Sequence, residues 1–202
     1  VAPIREQRGI SMRVLITGVR GQVGYELMKS APDEVTAIGL GSDELDIANA
    51  EWVNDVVLSL TPDLIINAAA YTAVDKAESE PDLAYAVNRN GVAHLGGVAD
   101  HLSVPLLHIS TDYVFSGEGS KPYSESDATS PTGVYGSSKL AGERALMQTC
   151  ARYMILRTSW VFGLHGKNFV KTMIRLGRER NELSIVDDQI GCPTSASGIA
   201  QA

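Results

Sequence analysis

Short apolar runs alternate along the chain with longer segments of helical period. From Met12 onward, the apolar runs predict strands at 13–17, 35–40, 64–68, 106–110, 153–157 and 183–186. Five of these six runs are continuously apolar, which is typical of strands buried on both faces of a parallel sheet. The segments of helical period between them predict helices at 22–30, 51–60, 82–102, 134–150 and 169–180.

This order of elements predicts an α/β fold, a Rossmann-type doubly wound parallel sheet with crossover helices. Asn49 is expected to cap the second helix, and Pro81 stands where the first turn of a helix tolerates proline. Residues 194–202 have the pattern of the capped first turns of another helix, so the chain is interpreted as a fragment. Residues 1–11 are predicted to be a loose leader or an expression remnant, and residues 12–202 a single domain.

Composition excludes several classes of protein. The 202 residues include 24 acidic and 17 basic side chains, a formal charge of −7, which disfavours binding to nucleic acid. No apolar run approaches the 18 residues or so that a membrane span needs, so no membrane association is expected. Cys150 and Cys192 lack the spacing of a disulfide framework or a metal site, which predicts small apolar fillers in a reducing, cytoplasmic protein. The four histidines lack metal-ligand spacing, so no metal site is predicted.

Three glycines follow the first predicted strand at a spacing of three. Gly18, Gly21 and Gly24 lie between that strand and the first helix. Glycines so placed allow a tight turn and let backbone amides approach a pyrophosphate at the start of the helix. The position of the loop in an alternating chain therefore favours a dinucleotide site, so 12–202 is predicted to be an NAD(P)-binding domain.

The end of the second strand leaves the choice of dinucleotide open. A ribose-binding acid is expected there, but no acid occurs before Asp43, and no arginine replaces it. We expect use of both NADH and NADPH within about tenfold, with a slight preference for NADPH. Asp46 could bind the adenine amine and Ile47 could cover the ring, although a helix cap explains Asp46 equally well. Small side chains at 68–70 would let the backbone pass near the cofactor, or else serve ordinary packing.

Tyr135 and Lys139 are four residues apart on a predicted helix, so they share one face of it. A fixed cation beside a phenol lowers the pKa of the tyrosine, here toward neutrality. Such a tyrosine can act as a general acid toward a carbonyl oxygen at a carbon that receives a hydride. Thr111 lies at the carboxyl end of a predicted parallel strand and can supply a second hydroxyl to the same oxygen.

These features together resemble the extended short-chain dehydrogenase/reductase family. Longer blocks at 67–78 (NAAAYTAVDKAE), 110–115 (STDYVF) and 157–162 (RTSWVF) resemble its dTDP-4-dehydrorhamnose reductase branch. The resemblance extends from about Met12 to the end of the chain. It implies reduction of the C4 carbonyl of dTDP-4-dehydro-L-rhamnose, and a smaller C-terminal substrate domain that is mostly absent from this chain.

The resemblance also implies a role for each matching residue. Tyr135 would donate the proton, Lys139 would hold the nicotinamide ribose, and Thr111 would assist. The remaining cofactor contacts would come from Gly18, Gly21, Gln22, Val23, Gly24, Asp46, Ile47, Ala68, Ala69, Ala70 and Thr72. Thr111, Asp112 and Trp160 would face the nucleotide-sugar substrate, and a homodimer is a further partner to expect.

Two other functions remain open. A protein that keeps the cofactor fold could be a regulatory subunit of an enzyme like methionine adenosyltransferase. Another nucleotide-sugar epimerase or dehydratase would share the glycines and the Tyr135 to Lys139 spacing. A dehydratase, however, is expected to carry an acidic pair after the strand-end threonine, whereas Asp112 is followed by Tyr113.

Overall fold

A computed structural model describes residues 11–202, so the predicted leader lies outside the described residues except for Ser11. The central sheet has five parallel strands: β1 Met12–Thr17, β2 Val35–Leu40, β3 Leu64–Asn67, β4 Leu106–Thr111 and β5 Tyr153–Thr158. Two further two-residue strands, β6 Val161–Phe162 and β7 Thr194–Ser195, pair with each other. The helices are α1 Gln22–Lys29, α2 Ala50–Leu60, α3 Val74–Ala77, α4 Pro81–Tyr85, α5 Val92–Leu102, α6 Val134–Thr149, α7 Phe169–Glu179 and α8 Ala196–Gln201.

The strands of the large sheet follow the order β2-β1-β3-β4-β5. The direction of winding therefore reverses between β1 and β3, and in such sheets ligands bind beyond the carboxyl ends of the strands at that point. Each adjacent pair is parallel, with Val14 beside Leu64 and Thr111 beside Thr158 in the register. The predicted Rossmann-type α/β fold is confirmed.

Apolar side chains form a cluster on each face of the sheet. The larger cluster joins Leu15, Ile65 and Leu106 of the strands to α2, α5 and α6. The smaller cluster includes Val23 of α1 and Ile199 of α8. It packs on strand side chains that do not belong to the larger cluster. Because strand side chains alternate between faces, these two clusters bury both sides of the sheet.

Several predicted helix ends are confirmed. The Asn49 side chain accepts a hydrogen bond of 3.0 Å from the Trp52 N–H at the start of α2. Pro81 is in the first turn of α4. Ser195 caps α8 by accepting from the Gly198 N–H at 3.0 Å, which confirms the helix predicted at the end of the chain. Within residues 11–202, no helix combines the length and apolarity needed to cross a membrane.

The single helix predicted at 82–102 is wrong in its middle. Residues Ala86–Gly91 form a π-helical turn between α4 and α5. A pattern of apolar positions does not distinguish this wider turn from an α-helix, because both keep one face buried. The turn is packed closely, since a Cβ on Gly142 of α6 would lie 2.0 Å from the Asn88 carbonyl oxygen.

The strand predicted at 183–186 is also wrong. The segment has no strand partner among the described residues, and Ile185 and Val186 are 51% and 67% exposed. An apolar run forms a strand only where a neighbouring backbone can pair with it, which the sequence pattern does not report.

The segment 75–80 includes part of α3, and the Glu78 side chain after this helix accepts from the Val134 N–H at 2.8 Å. Glu78 therefore caps α6, the helix of Tyr135. Glu26 of α1 is buried, with 7% of its surface exposed. Cys150 is buried as predicted, whereas Cys192 is exposed and fills no core.

Candidate functional site

The glycine loop between β1 and α1 is shaped by close backbone contacts. Gly18 has a φ of +71°, and a Cβ there would lie 2.6 Å from the Ala69 nitrogen at the end of β3. A Cβ on Gly24 would lie 2.4 Å from the Gly18 carbonyl oxygen. Both positions need glycine for the fold itself. Gly21 differs, because it is exposed and a Cβ there would meet only the Gly18 oxygen, at 3.2 Å.

The first turn of α1 presents its backbone to solvent at Gly21. Gly21 is the N-cap residue of this helix, and no side chain caps the helix there. The amides of such a turn carry a partial positive charge and are suited to a phosphate group. A dinucleotide pyrophosphate therefore fits this loop.

Gln22 and Val23 contribute only their main chain to that surface. The Gln22 side chain donates to the Val161 carbonyl at 3.2 Å and accepts from Asn168 at 2.9 Å. The Val23 side chain is buried in the smaller core cluster. The Gln22 side chain thus joins α1 to β6 and to the start of α7, and the Val23 side chain joins α1 to α8.

Residues after β2 lie on the same edge of the sheet, but only one of the predicted pair is exposed. Asp46 is exposed, and its Oδ1 accepts from the Ala48 N–H at 3.0 Å. Ile47 is 3% exposed and packs in the core, where a Cβ on Gly91 would lie 2.6 Å from it. The side chain of Ile47 is therefore part of the core rather than an exposed wall for an adenine ring.

Arg20 is a candidate residue that the sequence analysis missed. Its side chain crosses Gly41, just beyond the end of β2, where a Cβ would lie 2.9 Å from Arg20 Nε. Arg20 also forms an ion pair with Asp43. A cation at the end of the second strand is where a ribose 2′-phosphate is bound in this type of fold. The expectation that no arginine replaces the missing acid is wrong, because Arg20 reaches this place from the glycine loop.

The loop after β3 lies beside the glycine loop, as the contact between Gly18 and Ala69 requires. Ala68, Ala69 and Ala70 are half-buried, and Thr72 is exposed. Asn67 is fully buried, and its Oδ1 accepts from the Ala69 N–H at 3.1 Å. Because these side chains are small, the backbone of this loop lies within reach of a ligand bound where the direction of winding reverses between β1 and β3.

Asn88 of the π-helical turn is a second residue that sequence reasoning missed. Its amide accepts from the Tyr71 N–H at 2.8 Å and donates to the Tyr71 carbonyl at 3.0 Å. It also donates to the Ser138 hydroxyl at 3.0 Å, and Ser138 donates to the Tyr135 carbonyl at 2.7 Å. Asn88 thus joins the loop after β3 to the helix of Tyr135. An asparagine on the apolar face of the helix predicted at 82–102 is the one signal in the sequence that could have indicated this.

Thr111 and Tyr135 meet at the carboxyl end of β4. The Thr111 hydroxyl donates to Asp112 at 3.2 Å and accepts from the Tyr113 N–H at 3.2 Å. Tyr113 packs edge-on against Tyr135, with ring centroids 5.5 Å apart. Burial raises the pKa of Tyr135 to about 12, and contact with the Thr111 hydroxyl opposes this only in part. At neutral pH the phenol therefore keeps its proton.

Lys139 shares a helix face with Tyr135 as predicted, but it does not act on the phenol in the way expected. Its ammonium position is buried, with Nζ 3.2 Å from His108 Nε2 and 2.7 Å from the Ile109 carbonyl oxygen. Burial lowers the pKa of Lys139 itself to about 7. The expected lowering of the Tyr135 pKa toward neutrality is wrong for this structure, because the lysine is directed into the sheet.

The two remaining candidates flank Thr111 at this edge of the sheet. Asp112 is half-buried and accepts the Thr111 hydroxyl bond. Trp160, two residues beyond β5, has a φ of +46° and is 45% exposed. A Cβ on Gly191 would lie 2.5 Å from the Trp160 indole, so the ring packs directly on that glycine. An exposed indole beyond the end of a strand is suited to contact with a sugar or base.

A family model described as the RmlD substrate binding domain matches residues 12–202. Among curated proteins, the dTDP-4-dehydrorhamnose reductase of Escherichia coli K12 is 48% identical over 193 residues, 94% of this chain and 64% of that protein. The enzyme of the same name from Sinorhizobium fredii is 49% identical over 191 residues, again covering 64% of that protein. The chain therefore spans about two thirds of the length of these relatives.

Comparison with solved structures shows the same similarity. The dTDP-4-dehydrorhamnose reductase of Bacillus anthracis, in complex with NADP, superposes with a TM-score of 0.93 at 43% identity, covering 95% of this chain and 69% of that one. The UDP-glucose 4-epimerase of Thermus thermophilus, in complex with NAD, shares the fold with a TM-score of 0.77 at 21% identity, covering 94% and 72% of the two chains. The resemblance seen in the sequence is confirmed: this chain belongs to the dTDP-4-dehydrorhamnose reductase family.

Proposed function

We propose that this chain carries the cofactor-binding and catalytic part of an NAD(P)H-dependent reductase, which converts the C4 carbonyl of dTDP-4-dehydro-L-rhamnose to the alcohol of dTDP-L-rhamnose. The observation that carries the proposal is the position of Thr111, Tyr135 and Lys139 at the same sheet edge as the glycine loop. The relatives at 48% and 49% identity bear the name of this reductase. The NADP complex of the Bacillus anthracis relative supports the cofactor.

The residues present fit a dinucleotide. The exposed Gly21 and the uncapped first turn of α1 would hold the pyrophosphate through backbone amides. Asp46 would bind the adenine amine, and the backbone of 68–70 would follow the middle of the cofactor. Lys139 would bind the nicotinamide ribose once its Nζ turns from the His108 ring.

Bound NAD(P)H supplies the hydride that reaches the C4 carbon of the sugar. Tyr135 donates its proton to the carbonyl oxygen as the C–O double bond becomes a single bond, which leaves an alcohol on the sugar and a phenolate on the enzyme. A phenol with a pKa near 12 is fully protonated before the reaction, as a donor must be. Thr111 would hold the carbonyl oxygen in place, and Asp112 and Trp160 would contact the nucleotide sugar.

Catalysis is favoured over the regulatory-subunit function, because all three candidate catalytic residues are present: Thr111, Tyr135 and Lys139. The free thiols of Cys150 and Cys192 support a cytoplasmic location for the reaction. The homodimer remains a prediction of the resemblance.

The glycine loop provides the first test. Gly21→Val is expected to raise the Kd for NADPH by about a hundredfold or more, because its side chain would occupy the space of the pyrophosphate. The fold should survive, since the only atom near the added Cβ is the Gly18 oxygen. The matched control is Gly97→Val on α5, where a Cβ meets nothing within 4 Å. Equal NADPH affinity of the two variants in a fluorescence titration would show that the dinucleotide binds elsewhere.

Arg20 provides a test of cofactor preference. Arg20→Ala is expected to weaken NADPH binding by about tenfold and to leave NADH binding nearly unchanged, because only NADPH carries the 2′-phosphate. Isothermal titration with each cofactor measures both constants. Lys29→Ala, at the far end of α1, removes an equal charge as the control. Parallel losses for both cofactors in the Arg20 variant would mean that the guanidinium does not contact that phosphate.

The reaction itself is tested by turnover. NADPH oxidation that depends on added dTDP-4-dehydro-L-rhamnose and yields dTDP-L-rhamnose by mass spectrometry supports the proposal. NADPH binding without oxidation at any substrate concentration would contradict it in favour of the regulatory function.

A further inference from the structure

A row of buried polar side chains crosses the centre of the sheet toward Tyr135. It runs from Thr17 on β1 through Asn67 on β3 and His108 on β4 to Lys139 on α6. All four residues are at most 2% exposed. Burying so many polar groups is costly unless every donor faces an acceptor, so the positions of the protons along the row are constrained.

The orientation of the Asn67 amide is fixed by its backbone. Its Oδ1 accepts from the Ala69 N–H at 3.1 Å and lies 2.7 Å from the Thr17 hydroxyl. A backbone N–H can only donate, so the atom beside it must be the amide oxygen. The amide nitrogen of Asn67 therefore faces His108 Nδ1, at 3.0 Å, and donates to it.

This contact fixes the tautomer of His108. Since Nδ1 accepts, the single proton of the neutral ring is on Nε2. That N–H is directed at Lys139 Nζ, 3.2 Å away. An ammonium group has no acceptor, whereas an uncharged amine has one lone pair. The His108 bond is therefore made to an uncharged Lys139, which still donates to the Ile109 carbonyl at 2.7 Å.

We propose that His108 is a positioning residue that holds Lys139 as an uncharged amine in the cofactor-free protein, so that binding of the dinucleotide takes up one proton at Nζ. The anionic dinucleotide favours the ammonium form, and the proton comes from solvent. The second half of this inference rests on the proposed function, in which Lys139 contacts the cofactor.

The surroundings of Lys139 agree with this assignment. Burial lowers the pKa of Lys139 to about 7 and that of His108 well below its usual range. Glu143, one turn further along α6, favours the ammonium, but its carboxylate is bound bidentately by Arg157 of β5. Further ionisable groups at this end of α6 are Tyr135 on the same helix, Asp112 and Tyr113 after β4, and Glu78, which accepts from the Val134 N–H.

The first test reads the protons directly in the protein without cofactor. In ¹⁵N-histidine NMR, the His108 ring should be neutral with its proton on Nε2, the signal being assigned by its loss in His108→Gln. In a ¹³Cε-lysine titration, Lys139 should change charge near pH 7, while ordinary lysines titrate near pH 10.4. Lys139→Met assigns that signal. A proton on Nδ1, or a Lys139 that titrates with the other lysines, would overturn the proposal.

The second test measures the Kd of NADH from pH 6 to pH 9, since NADH lacks a titrating 2′-phosphate. The Kd should be constant below pH 7 and rise by up to tenfold per pH unit above it, because only the bound form then holds the extra proton.

The variant Asn67→Asp tests the role of His108. The aspartate has nearly the same shape as asparagine but accepts a hydrogen bond from His108 Nδ1–H, so that His108 Nε2 becomes an acceptor for the Lys139 ammonium. In this variant the rise should be much smaller. A purely structural network would lower the melting temperature of the variant and leave the slope unchanged.

The outcomes separate the two claims. No binding of NADH or NADPH at any pH, with His108 and Lys139 protonated as expected, would refute the proposed function and with it the uptake of a proton. Binding with a constant Kd across the range would refute the uptake alone.

Discussion

Tyr135→Phe is expected to lower kcat for carbonyl reduction by about 10²- to 10⁴-fold, because the phenol is the group that gives its proton to the sugar oxygen. Cofactor affinity and melting temperature should stay close to those of the parent, since only a hydroxyl is lost. The parental phenol holds its proton at neutral pH, with a pKa near 12. Steady-state NADPH oxidation with dTDP-4-dehydro-L-rhamnose measures the effect.

Tyr153→Phe is the matched control. Tyr153 begins β5, at the opposite end of that strand from Trp160, and is 43% exposed. The same chemical change there should leave kcat unaltered. A Tyr135→Phe enzyme that turns over at the parental rate would require another proton donor and would remove the main support for the catalytic assignment.

Glu143→Ala is expected to destabilise the folded chain by about 3 kcal/mol. Glu143 is fully buried and accepts two hydrogen bonds from Arg157, at 3.0 and 2.7 Å, and one from Ser110 at 2.5 Å. Its removal leaves the guanidinium, which also lies 5.1 Å from the Phe115 ring centroid, without its counter-ion. Urea unfolding measures the loss.

The exposed pair of Glu179 with Arg175 supplies the comparison. Glu179→Ala breaks an ion pair whose side chains are about half exposed, and should change stability by less than about 1 kcal/mol. The double variant Glu143→Leu with Arg157→Met should recover much of the loss, because no buried charge is left unpaired. Equal effects of Glu143→Ala and Glu179→Ala would mean that the buried pair does not hold β4, β5 and α6 together.

The features that the sequence predicted correctly are those that depend on local spacing. Gly18, Gly21 and Gly24 lie between a buried strand and a helix, and a parallel sheet brings such loops to one edge. Tyr135 and Lys139 share a helix face because of their separation by four residues. The parallel sheet then places Thr111 beside them, since every strand ends at that edge.

The features that were missed depend on contacts between distant segments. Arg20 reaches the end of β2 only because the glycine loop folds back over Gly41. Lys139 Nζ lies 3.2 Å from a ring nitrogen of His108, thirty-one positions earlier, whereas the sequence suggested only its neighbour Tyr135. Ile47 is buried by a glycine in the π-helical turn, which no periodic pattern reports.

In the proposed reaction, a hydride passes at this sheet edge from a nicotinamide cofactor to the C4 carbon of the sugar. NADPH carrying deuterium at both C4 positions of the nicotinamide, incubated with the protein and excess dTDP-4-dehydro-L-rhamnose, tests it directly. One deuterium is expected at C4 of the dTDP-L-rhamnose formed, detected by mass spectrometry and NMR, and Tyr135→Phe should form about a hundredth or less of this product in the same time. Bound NADPH that keeps both deuterium atoms while the keto sugar remains unreduced would contradict it.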